Sequence, residues 1–222
     1  MSEPEHQGKR ARTRARILTN AIALFRERGV RSTRLAEVAR ESDVSPATLF
    51  NHFATKGVLA EAWVRGEVRD ALAAAIGDAV AADRNLRSAI RSASRALAAT
   101  TAEEPALRLE AWREAGRAES DRLGEDTRLI DGLRKEQQRA HIRGDLAPKV
   151  LAAMLMDAIE GGLIAGLREG RPEPDVAGSR NPPLLARAIQ ERVDLVLDGA
   201  RKRNERVTLA SAKRQRPESE DG

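Results

Sequence analysis

The chain has no cysteine and no tyrosine, and its 222 residues include only three phenylalanines, two tryptophans and three histidines. Without cysteine there is no disulfide framework, no thiol nucleophile and no thiolate metal site. Histidines at positions 6, 52 and 141 are too few and too scattered for a multi-histidine site, so neither a metal nor a cofactor is implied. No stretch reaches the roughly 18 uninterrupted apolar residues of a membrane-spanning helix, and the N-terminal MSEPEHQGKRARTRAR lacks the apolar core of a signal peptide. A cytoplasmic protein with no membrane partner is expected.

The aromatic content is 2% and β-branched residues are sparse, while Ala, Leu, Glu and Arg recur throughout. Strands prefer the residues that are short here, and helices prefer those that abound. With 41% hydrophobic and 33% charged residues the composition is globular, and an all-α fold follows. The formal charge is +5 and the sequence pI about 10.2, but placement matters more than size. Lys9, Arg10, Arg12, Arg14, Arg16, Arg26, Arg28, Arg31 and Arg34 are offset within their span only by Glu27, whereas the region from Glu103 to Asp126 is rich in carboxylates. The chain therefore has a basic front end and a neutral to acidic middle.

Four segments emerge. Residues 1–9, polar with Pro4 and Gly8, read as a flexible basic arm. Residues 10–55 carry three short helical patterns. Residues 56–200 hold longer helices, and 201–222 read as a flexible tail. In the first helix Ile17, Ala21, Leu24 and Phe25 share a face, and Gly29 ends it. Thr33 is placed to cap a second short helix carrying Leu35, Val38 and Ala39. Ser42-Asp43 breaks it, Val44 plugs the turn, and Ser45-Pro46 opens a third helix: serine caps free N–H groups, and proline at the first position gives up a donor that would be unpaired anyway. Leu49, Phe50 and Phe53 are expected to form this helix's core face, which leaves Ala47, Thr48, Asn51 and His52 on its edges and exposed side. A long fourth helix starts near Lys56. Further helices are expected over about 84–100, 103–117, 124–141, 147–169 and 183–200, with a Pro/Gly linker before the last.

Two short helices joined by a tight turn, the second opened by Ser-Pro, fit a helix-turn-helix. Named residue by residue, RILTNAIALFRERGVRSTRLAEVARESDVSPATLFNHFATKGVLAEA resembles the TetR family of bacterial transcriptional regulators. Ile17, Ala21, Leu24, Phe25 and Gly29 resemble its first helix and stop. Thr33, Val38 and Ala39 resemble its second helix. Val44, Ser45, Thr48, Leu49, Phe50, Phe53, Lys56 and Leu59 resemble its turn, recognition helix and connecting helix. The chain departs from the family at Asp43 and Ala47, where glycine is common, at Phe50 and His52, where tyrosine is common, and at Gly57, where glutamate is common.

The resemblance implies a sequence-specific DNA-binding regulator, usually a repressor, that works as a homodimer on a palindromic operator and answers to a small-molecule effector. It assigns phosphate contacts to Thr33 and Lys56, and a reading surface to Ser45, Pro46, Ala47, Thr48, Asn51 and His52. Asparagine can bond adenine bidentately, and Ala and Thr methyls can touch a thymine methyl; Asn51 and His52 are equally compatible with a solvated helix edge. Arg12 and Arg14, in the basic front end, can follow the DNA backbone or enter a minor groove.

Beyond residue 65 the resemblance is weaker. Leu151, Leu155, Ile159, Gly162 and Gly166 form one stripe and Leu185, Ile189, Val193 and Val196 another; both are dimerisation candidates, with an intrachain core as the competing reading. Trp63, Leu107, Trp112, His141 and Met156 are candidate ligand contacts, and the scarcity of aromatic rings favours a largely apolar effector. A rival reading is a nonspecific or architectural nucleic-acid-binding protein, supported by the basic ends. Catalysis has only scattered ingredients, Ser45 with His52 or His141 with Asp145, and no phosphate loop, HExxH or GxSxG, so no enzyme is expected.

Overall fold

The computed structural model of the chain describes residues 3–116, 127–169 and 182–201. The tail beyond Arg201, the Pro/Gly linker and the acidic residues Glu119, Asp121, Glu125 and Asp126 lie outside the described residues. Within them every named element is a helix: α1 (Glu3–Arg28), α2 (Leu35–Glu41), α3 (Pro46–His52), α4 (Lys56–Ala81), α5 (Leu86–Glu103), α6 (Pro105–Ala115), α7 (Thr127–Gln138), α8 (Pro148–Glu169) and α9 (Pro182–Gly199). An isolated antiparallel bridge joins Ile142 to Arg201. The all-α expectation holds.

Helix starts follow local chemistry. Ser45, Thr55 and Asn85 each accept the backbone N–H three residues on, capping α3, α4 and α5. Proline opens α3, α6, α8 and α9, where its missing donor costs nothing. Gly29 ends α1 at φ +82°, the left-handed conformation that suits a helix stop. One boundary differs from expectation: α1 begins at Glu3, so the segment read as a flexible arm is helical from that residue on. Ala, Arg, Lys and Glu in this stretch favour helix strongly enough to extend it well before Ile17, where its apolar face begins.

The first three helices form a small unit around Ile17, Ala21, Phe25, Val38, Leu49 and Phe53, all at most 1% exposed. α4 leaves this unit and becomes the axis of the rest, buried through Leu59, Trp63, Val64, Val68, Leu72 and Ile76. α5 and α6 pack on it, while α8 and α9 form the closest helix pair. A Cβ on Gly162 would sit 2.5 Å from Ile189 Cα and 2.9 Å from the Ala188 carbonyl oxygen, and one on Gly166 would sit 2.7 Å from Leu185 Cδ2. Leu151, Leu155, Ile159, Leu185, Ile189 and Val193 are at most 2% exposed against this contact. α8 is long and apolar enough to cross a membrane by composition alone, but its apolar stripe is accounted for by this core packing.

The two stripes expected to meet a second copy are therefore spent inside one chain. The small residues that let a helix approach have been used by α9 of the same chain, and Val196 also packs on this core. Apolar side chains stay open elsewhere on both helices, Val150 and Met154 on α8 and Leu184 and Leu195 on α9, each at least half exposed.

Candidate nucleic-acid interface

The turn between α2 and α3 is built from contacts that fix its shape. Asn20 of α1 donates its amide to the Glu41 carbonyl at 3.0 Å and to Ser42 Oγ at 3.3 Å, tying the fully buried Ser42 to the first helix. Asp43 takes φ 48°, a left-handed conformation in the position where the resembled family commonly has glycine. Val44 returns its N–H to the Ala39 carbonyl at 3.1 Å and packs on the core, as a plug should. Ser45 Oγ then accepts the Thr48 N–H at 3.1 Å and lies 2.8 Å from Thr48 Oγ1.

These contacts set the rotation of α3. Leu49 and Phe53, 1% and 0% exposed, anchor it, while Pro46, Ala47, Phe50 and Asn51 face solvent and Thr48 and His52 lie half-buried at the edges. Phe50 departs from expectation, because it is 51% exposed rather than part of the core. A seven-residue helix needs only Leu49 and Phe53, one turn apart, to seat itself, and the neighbouring position 50 falls about 100° away from that line. Apolar character alone could not distinguish it from its neighbour.

Three of the residues expected to meet phosphate also bond within the chain through their side chains, though the contact expected of Thr33 is through its backbone N–H, which these bonds leave untouched. Thr33 is 2% exposed and its hydroxyl donates towards the Gly29 carbonyl at 2.9 Å and the Leu24 carbonyl at 3.3 Å, closing the end of α1. It does not cap α2; Arg34 occupies that position, and Glu37 accepts the Arg34 N–H at 2.9 Å. Lys56 Nζ donates to the Arg31 carbonyl at 2.8 Å and the Thr33 carbonyl at 3.3 Å, clamping the start of α4 to the α1–α2 turn. Arg14 lays its guanidinium 4.0 Å over the Phe53 ring and donates to the His52 carbonyl at 2.6 Å, satisfying a free carbonyl at the end of α3. Burial, with Arg69 and Arg10 nearby, pulls the Arg14 pKa below its usual value. Arg12 remains exposed, with its Nε on the Gly8 carbonyl at 3.2 Å. At His52, partial burial first and then Arg10 and Arg14 push the imidazole below the ordinary histidine pKa.

A second feature, unforeseen from sequence, joins this unit to the larger body. Trp63 of α4 stacks against Phe25 of α1 at 6.0 Å, donates its indole N–H to Glu67 at 2.8 Å, and carries the guanidinium of Arg108 4.6 Å from the ring. Arg108, 2% exposed, pairs with Glu67 and lies 3.6 Å from Glu104. Glu104 takes Arg26 of α1 at 3.0 Å, while Glu110 accepts the backbone N–H groups of Val30 and Arg31, each at 3.1 Å. α6 and its N-cap residue Glu104 therefore grip the end of α1 through two carboxylates. Only the alternation of acidic and basic residues along 103–114 hinted at it, and that pattern also suits a solvated face.

Two of the five candidate ligand contacts, Leu107 and His141, line different cavities. Trp63 belongs to the junction just described and Trp112 is 6% exposed in α6. Leu107 lines a groove of about 390 Å³ between α1 and α6, and His141 lines a cavity of about 630 Å³ at the ends of α5, α7 and α9; Met156 packs on the core. The larger cavity is bordered by Arg87, Glu136, Asp198 and Arg201, so its rim is charged rather than apolar. Nor do the scattered catalytic pairs form: Ser45 is used as a cap, His141 bonds Glu136 at 2.9 Å, and Asp145 pairs with Arg143.

Residues 17–63 match the family model described as bacterial regulatory proteins, tetR family. The N-terminal unit is that of the TetR family. The match runs from Ile17, where the apolar face of α1 begins, to Trp63, the residue that meets Arg108. Members of the family are DNA-binding, helix-turn-helix transcriptional regulators, typically dimeric. Over nearly its whole length the chain also shares its fold with solved TetR-family proteins. The FadR repressor of Thermus thermophilus, solved with lauroyl-CoA, is 21% identical over 94% of this chain and all of its own, with a TM-score of 0.61. A TetR-family regulator of Pectobacterium atrosepticum is 18% identical over 91% of this chain and 99% of its own, with a TM-score of 0.57. Another, from Rhodococcus sp., is 18% identical over 84% and 99%, with a TM-score of 0.51. No curated protein matches the chain at a significant level.

Proposed function

We propose that the chain is a homodimeric repressor that reads a palindromic operator in double-stranded DNA with α3 and releases or changes that grip when a small molecule binds residues 56–200. The observation that carries the reading is the exposed face of α3. Pro46, Ala47, Phe50 and Asn51 lie open on a helix whose other side is fixed in the core, beside a basic front end. A short helix held this rigidly, with none of the described residues covering its outer face, is suited to enter a major groove. Arg12 and its basic neighbours supply the charge to follow phosphates.

A two-fold partner is supported by the exposed apolar face of α8 and α9. Val150 and Met154 are one turn apart, and Leu184 and Leu195 are eleven residues, or about three turns, apart on a common side. A second copy packing there would bury side chains that otherwise stand in water. The effector is taken to be largely apolar, because Leu72, Ile90, Leu97, Leu129, Leu133 and Leu155 of α4, α5, α7 and α8 belong to one packed aliphatic core, and a ligand entering between these helices would meet mainly such side chains. The Thermus thermophilus FadR structure holds lauroyl-CoA, whose acyl chain is of this class although its CoA part is charged. Coupling would run through α6: a ligand that displaces it withdraws Glu110 from Val30 and Arg31 and loosens the stop of α1.

Selection of bound fragments from a random duplex library tests the reading. A two-fold symmetric consensus with half-sites one helical turn or more apart is expected. Recovery of unrelated sequences in proportion to their abundance would instead favour a nonspecific nucleic-acid-binding protein.

A further inference from the structure

The chain has five aromatic rings in all, and four of them are at most 6% exposed: Phe25, Phe53, Trp63 and Trp112. The fifth, Phe50, is 51% exposed and sits in the middle of the solvent-facing side of α3. Its position is fixed from behind, because Leu49 and Phe53 seat the helix and Ser45 caps it. Removing the Phe50 ring would therefore take little from the fold. Ala47 lies one turn before it and Asn51 immediately after, both exposed, so a methyl, a phenyl ring and a carboxamide share one surface.

The chemistry of a phenyl ring narrows what it can meet there. It has no donor or acceptor, so it can neither hold a phosphate nor bond a base edge. In the major groove the apolar feature on offer is the 5-methyl group of thymine. Asn51 beside it carries the amide suited to the N6 and N7 edge of adenine. Resting on the DNA-reading role proposed above, we propose that Phe50 is a specificity-determining residue that packs its ring on a thymine 5-methyl group, so that each operator half-site carries a thymine at the position facing the middle of α3.

The probe is the duplex selected by the protein itself, with each thymine replaced in turn by deoxyuridine, which removes the methyl and nothing else. Wild-type protein and Phe50→Ala are titrated against every duplex, with Phe50→Leu as a second variant that retains an apolar contact. Thermal melting is expected to be the same for all three. One symmetric pair of thymines should matter to wild type, each replacement weakening binding about fourfold, the value of one buried methyl group. The same replacements should leave Phe50→Ala unaffected and Phe50→Leu intermediate. Parallel losses in wild type and Phe50→Ala at every thymine would overturn the assignment of Phe50 while leaving DNA reading intact, because Ala47 or Thr48 would then hold the methyl. A wild type that binds the selected and scrambled duplexes equally would overturn both.

Discussion

Arg14 and Arg12 lie two residues apart in the same basic stretch and do different work. Both are exposed, but Arg14 stacks on Phe53 and bonds the His52 carbonyl, so it positions the reading helix, whereas Arg12 bonds the Gly8 carbonyl of its own helix. Replacing Arg14 by alanine should cost about 1 kcal/mol in urea unfolding, from the lost cation–π contact and carbonyl bond. Arg12→Ala should leave stability unchanged and reduce the salt slope of DNA binding by about one. His52 gives a pH signature. Burial, Arg10 and Arg14 disfavour its charged form in the free protein, so its lowered pKa means that its share of stability is present above the histidine range and is lost as pH falls through it. A DNA phosphate acts in the opposite sense, favouring the imidazolium. Titrations between about pH 8 and pH 5.5 should therefore show tighter DNA binding at lower pH, with the trend flattened in His52→Gln. At this scale the sequence was legible where a side chain has one local task, as with the Ser45 cap and the Val44 plug. It was not legible for Lys56, Thr33 or Phe50, whose partners or freedom depend on how α1, α3 and α4 come together.

Among the elements, the closest packing is at the α8–α9 crossing. Gly162 has no room for a methyl group against the α9 backbone, so Gly162→Ala should destabilise by about 1–3 kcal/mol as the helices are forced apart. Gly77, in α4, has nothing within 4 Å of the corresponding position, and Gly77→Ala should instead stabilise by about 0.4–1 kcal/mol through the unfolded chain. Urea midpoints of the two variants moving in the same direction would contradict this packing. Helix number and order could be read from apolar periodicity and from prolines at helix starts, with most ends falling within a few residues. The stripes at Leu151–Gly166 and Leu185–Val196 were also visible, but one periodicity serves equally for a partner within the chain and a partner outside it. Only the geometry of Gly162 and Gly166 separates the two.

At the scale of the whole molecule, a reader of short helices is attached through α4 and the α6 carboxylates to a larger helical body with an open apolar face on α8 and α9. If that face receives a second copy, Leu195→Asp should leave the melting of the monomer unit intact, shift sedimentation from dimer to monomer, and weaken operator binding while sparing nonspecific affinity. The α6 junction could not be foreseen, because Glu104 and Glu110 lie some 80 residues from Arg26 and Val30, and no local pattern marks which carboxylate turns inwards. The most direct test of sequence-specific reading by α3 is the ratio of dissociation constants for the selected operator and a scrambled duplex of equal length, measured across a salt series. At physiological salt a ratio of about 10³ or more is expected, falling sharply when Phe50 and Asn51 are both replaced by alanine. A ratio near one for the wild-type protein would contradict it.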